Sequence, residues 1–184
     1  MRRILDGVYA GALWLACLAM VAIALLVMAQ ITGRVVDRVL VIAGASPLGF
    51  AVPSLSDFGG FLFVAAATLA LPGTLRAGGH VRVTLLVGVV PRGLVRVMTG
   101  AMLLAALGLA GFAAWHTSAL AWDSFVFNSV SFGRVRVPLW IPQSVMSLGF
   151  VLLMVAVLDE LIALLRGKEP AFEHARRALD AEDN

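Results

Sequence analysis

Twenty-three residues from Tyr9 to Ile31 pass without a charged side chain, and three more long apolar segments follow before the chain ends. A hydrocarbon core about 30 Å thick takes roughly 20 apolar residues of α-helix to cross. Inside such a core every backbone amide and carbonyl must be paired within the chain, so a helix is the element these segments can form. With 61% hydrophobic residues and a mean hydropathy of +0.97, the 184-residue chain carries more apolar surface than a soluble core of that size can hide. The reading is an all-α integral membrane protein with four transmembrane helices and a short interfacial helix.

The first span runs from about residue 9 to 31, with Tyr9 and Trp14 as interface anchors. Arg2 and Arg3 before an apolar run resemble a secretory signal, but a signal core is about 7 to 15 residues, so a retained span is expected. A lipoprotein site at Cys17 is disfavoured by Trp14 and Leu15 just before it, and a buried thiol is expected instead. As the single cysteine, Cys17 excludes an intramolecular disulfide and a Cys-x-x-Cys pair. Val39 to Pro53 is apolar but broken by Gly and Pro, and reads as a turn or two of continued helix followed by a loop on the outer interface.

Ser54, Ser56 and Asp57 are capping candidates for a second span from about 58 to 75, and Pro72 inside it predicts a kink. The basic connection Arg76-Ala-Gly-Gly-His80-Val-Arg82 leads into an interfacial segment at about 81–91. A third span covers about 97–121, along which Ala106, Ala110, Ala114 and Ser118 form a small-residue stripe suited to close helix approach, within this bundle or against another chain. From Trp122 to Val137 apolar and polar residues alternate, as in an external loop with a short extended element. Pro138 suits a first helical turn, and the fourth span follows at about 139–165. Residues 1–167 thus form one membrane domain, and 168–184 a charged tail.

Charge supplies the orientation. With the N-terminus inside, ten Lys and Arg residues fall on the cytoplasmic side and four (Arg34, Arg38, Arg134, Arg136) outside, so both termini are expected in the cytoplasm. A net charge of +3 and a pI near 10 reflect these flanks; the basic residues do not gather on one face, and nucleic acid is not an expected partner.

The spans are chemically sparse. No Asp or Glu lies well inside any of them; Asp57, Asp159 and Glu160 sit near ends, where capping or surface solvation is expected. His116 is the titratable group within a span, expected near the outer interface, hydrogen-bonded to a neighbouring helix, with Asp123 as a possible partner. As a haem ligand it would make the chain a cytochrome-type anchor, but His80 and His174 are poorly placed to be its pair. No His-Glu-x-x-His, Gly-x-Ser-x-Gly or P-loop pattern occurs, so neither an enzyme nor a cofactor site is expected. Basic residues such as Arg76, His80 and Arg82 at a cytoplasmic membrane edge also serve simply to fix topology and attract anionic lipid.

Two stretches resemble a known family. Asp57-Phe-Gly-Gly-Phe-Leu-Phe-Val leads to Leu-Arg76-Ala-Gly-Gly-His80-Val-Arg82-Val-Thr-Leu-Leu, with Asp57 placed 23 residues before His80; Val-Pro138-Leu-Trp140-Ile-Pro142-Gln-Ser-Val-Met-Ser-Leu-Gly149-Phe opens the fourth span. These are similar to motifs of the small membrane subunit, the DctQ type, of tripartite ATP-independent periplasmic (TRAP) transporters. The resemblance covers roughly Arg3 to Gly167. The chain departs from the family pattern at Ser56, where paired acids are frequent, at Ala65 and Ala70, and in carrying Pro72. The resemblance implies a non-catalytic scaffold in the bacterial inner membrane, paired with a large permease subunit that holds the substrate and sodium sites. It further implies a periplasmic binding protein that delivers an organic acid.

Overall fold

The computed structural model describes residues 2–77 and 92–166. Four helices account for nearly all of them: α1 (Arg2–Ile42), α2 (Leu55–Arg76), α3 (Arg92–Val126) and α4 (Trp140–Leu165). Each is long and apolar enough to cross a membrane. His80, Arg82, the interfacial segment and the charged tail lie outside the described residues.

Successive packing is α1 on α2, α2 on α4, and α4 on α3, so the helices form a row with α1 and α3 at its edges. Small residues make this possible. Ala12, Ala16 and Ala19 of α1 meet Ala66 and Leu69 of α2 in one core cluster. Leu75, Leu103, Ala156, Val157 and Leu161 form a second cluster under Tyr9. Lipid tails are as apolar as these side chains, so association rests on dispersion and on close backbone approach rather than on hydrophobic drive.

Helices α2 and α4 approach closely at Gly149. A Cβ at Gly149 would stand 2.6 Å from Thr68 Cβ and 2.8 Å from Thr68 O, inside van der Waals contact. Pro72 lies within α2 and has no amide to give the carbonyl of Thr68, which is therefore left to face α4. The helix nonetheless continues through it to Arg76.

On α3, Ala110 and Ala114 are buried and Ala106 packs on the second cluster with α4 residues. Ser118 shares a 2.6 Å hydroxyl contact with Ser147 of α4. The small-residue stripe is thus placed against this chain's own fourth helix.

Several local expectations change. Helix α1 runs about three turns past Ile31, and the returning loop is strapped along it: Asp37 Oδ1 accepts the amides of Leu48 (2.8 Å) and Gly49 (3.2 Å), and Gln30 Oε1 accepts that of Val52 (2.6 Å). Gly33 leaves room for the Phe50 ring. Helix α3 also overruns, to Val126, because Trp122 and Phe125 fall at helical spacing and Phe125 packs edge-on against Trp140 at 5.7 Å. The extended element shrinks to one antiparallel bridge, Val130 with Pro138. That pairing holds Pro138 two residues ahead of α4 rather than in its first turn; Pro142 is the proline in that turn. Tyr9 is buried in the bundle instead of anchoring at an interface, whereas Cys17 is exposed on α1.

Candidate functional site

Polar side chains gather at the two ends of the row. At the first end Arg76, the last residue of α2, pairs with Asp6 of α1 and with Asp159 Oδ2 of α4 at 2.9 Å. Its guanidinium also lies over the Tyr9 ring, 4.9 Å from the centroid. A planar fork with five donors can serve carboxylates on two helices and an aromatic face together, which a lysine ammonium does less well. The Arg76 side chain is 16% exposed and that of Asp159 23%, against 55% for Asp6, so the contact to α4 is the better shielded of the two. Glu160, next to Asp159, is fully buried. Arg96 of α3 adds a further tie, donating to the Leu164 carbonyl at 2.8 Å near the end of α4.

These contacts correct the expectation of surface solvation for Asp159 and Glu160. A two-residue acidic step near the end of an apolar helix, matched by Asp6 and Arg76 near the same end of the bundle, was the available signal. Tyr9 was missed as well, because an aromatic residue at a span end reads equally as belt or core.

At the other end Asp57 occupies the first turn of α2, where a carboxylate faces the positive end of the helix dipole. The capping expectation fails in its detail. Ser54 takes the N-cap place in a left-handed conformation (φ 54°), makes no side-chain cap, and accepts the Val135 amide at 2.8 Å instead. Its carbonyl takes the amides of Asp57 (3.0 Å) and Phe58 (3.1 Å). The α3–α4 loop closes over this turn at Gly133, where an added Cβ would come within 2.8 Å of Ser54 Oγ and 2.9 Å of Asp57 Cγ. Thus Asp57 and Arg76 stand at opposite ends of α2, each engaged by a different part of the chain.

Near the Asp57 end, a groove of about 410 Å³ opens between α3 and α4, walled by Trp122, Phe125 and Trp140 above the hydroxyls of Ser118, Ser144 and Ser147. With its amide nitrogen turned toward α3, Gln143 reaches Leu120 O (3.1 Å) and Ser124 Oγ (2.7 Å). His116 is not hydrogen-bonded to a neighbouring helix among the described residues; it is exposed on α3 and packs at a tilt of 51° against Phe112, with ring centroids 4.2 Å apart. Among the described residues no group of three or more His, Cys, Asp or Glu could hold a metal ion.

Apolar helices joined at their ends by polar ties, with hydrocarbon-facing side chains between, define a multi-pass α-helical membrane protein. A family model described as the DctQ component of tripartite ATP-independent periplasmic transporters matches residues 23–167, and the chain belongs to that family. It is a TRAP transporter small membrane subunit. No individual curated protein matches it.

Proposed function

We propose that this chain is a non-catalytic scaffold that carries no cofactor of its own. It pairs in the bacterial inner membrane with a large permease subunit, to which a periplasmic binding protein delivers an organic acid. Substrate and sodium sites belong to the large subunit, and both termini of the chain face the cytoplasm, with lipid around the remaining surface.

The observation that supports this reading most is where the carboxylates stand. Among the described residues, Asp6 and Asp57 fall in the first two turns of their helices and Asp37, Asp123, Asp159 and Glu160 in the last two. Ion-coupled carriers place ionisable or ion-coordinating groups near the bilayer midplane, in helices broken to expose backbone there. Here α1 to α4 are continuous, and their polar groups tie one helix to another. The family assignment favours this role over the electron-transfer alternative. The test is co-expression with the large permease and mild detergent extraction, in which the two should co-purify. A monodisperse chain that ignores the permease would overturn the proposal.

A further inference from the structure

The two edges of the row differ in one respect. On α1 the exposed residues through the middle of the span, such as Leu18, Val21, Leu25 and Met28, are apolar, and the exposed thiol of Cys17 is only a weak donor, so lipid tails cover this edge at little cost. On α3 the side turned away from α4 carries Leu109, Phe112 and His116, all exposed. With Leu94–Val126 centred on the core, His116 lies about 9 Å from the midplane, within the 15 Å half-thickness. Its imidazole has a donor and an acceptor, and no hydrogen bond to it is found among the described residues. Lipid tails offer neither, and ionisable groups at such depth face protein or a water-filled cavity. On the same helix Ala101, Ala105 and Gly108 are also exposed, spaced by four and three residues, and a Cβ at Gly108 would meet nothing within 4 Å. A second backbone can therefore approach there closely.

We propose that this face of α3, centred on Phe112 and His116, docks a transmembrane helix of the large permease subunit that presents a hydrogen-bonding side chain or carbonyl at the depth of His116. This rests on the scaffold reading and names the surface through which it operates; the edge formed by α1 is left to lipid.

The test uses the full chain co-expressed with the large permease in membranes, with a photoreactive residue at position 112 or, for comparison, at position 18. Illumination should give an adduct of the combined subunit masses from position 112, at least fivefold above that from position 18. His116→Phe should lower the adduct from position 112 at least fivefold, while His116→Gln, which keeps donor and acceptor, should stay within twofold. Adducts from position 18 alone, a homodimer, a lipid adduct only, or equal yields for the Phe and Gln variants would overturn the proposal even where the subunits co-purify. Failure to co-purify would instead remove the scaffold reading on which it rests.

Discussion

Gly149 of α4 lies directly against the carbonyl of Thr68 in α2, the carbonyl that Pro72 leaves without its helical donor. The pairing explains two residues at once. A glycine is needed because any Cβ would enter the Thr68 backbone, and the proline is tolerated because the neighbouring helix covers the carbonyl it frees. Gly149→Ala should push α2 and α4 apart and destabilise the bundle by about 1–3 kcal/mol, as overpacking does. Thermal unfolding in detergent would measure it; an unchanged midpoint would refute the contact.

Arg76 distinguishes a structural clamp from a topology signal. Charge alone would be satisfied by lysine, but two carboxylates and the Tyr9 ring require the fork. Arg76→Lys should therefore lower the unfolding midpoint while leaving insertion topology intact. Asp159→Asn should cost about 1–3 kcal/mol, and Asp6→Asn below about 0.5 kcal/mol because water screens that pair. The reverse ranking would show that α1, not α4, is the principal partner.

The hydroxyl pair Ser118 and Ser147 should be weakly coupled. Ser118 also donates to the Ala114 carbonyl at 2.6 Å, so losing Ser147 does not leave it unpaired. A double-mutant cycle to alanine should return about 0.6 kcal/mol, the usual interhelical value in a membrane. A coupling several times larger would mean that the pair, not the alanine stripe, sets the α3–α4 contact.

Closure of the α3–α4 loop over α2 depends on Gly133. Gly133→Ala should displace the loop from Asp57 and Ser54, exposing the Val135 amide that Ser54 now accepts. Hydrogen exchange at that amide should quicken at least tenfold, with helix amides distant from the loop unchanged. Unaltered exchange would place the closure elsewhere.

The loop after α1 offers a parallel case. Asp37→Ala removes the acceptor for two amides, Leu48 and Gly49, while Gln30 still holds Val52. Exchange should rise at Leu48 and Gly49 and change little at Val52; a uniform rise would indicate that Asp37 anchors the whole strap.

By itself the sequence determined the membrane class, the four spans and the family. Run length, charge placement and motif spacing are one-dimensional quantities, and the bilayer converts run length directly into a helix. Helix ends were less legible: whether α1 and α3 stop at the membrane edge or overrun it depends on what packs on the overhang, Phe50 over Gly33 and Trp140 beside Phe125. Tertiary structure alone decided which helices touch. That choice brought Arg76 to Asp159 across 83 positions, buried Tyr9 and Glu160, and set the alanine stripe against α4 while leaving His116 outward. Helical periodicity shows which residues share a face, but in a uniformly apolar segment it does not say which face meets protein, because lipid and protein present the same hydrocarbon.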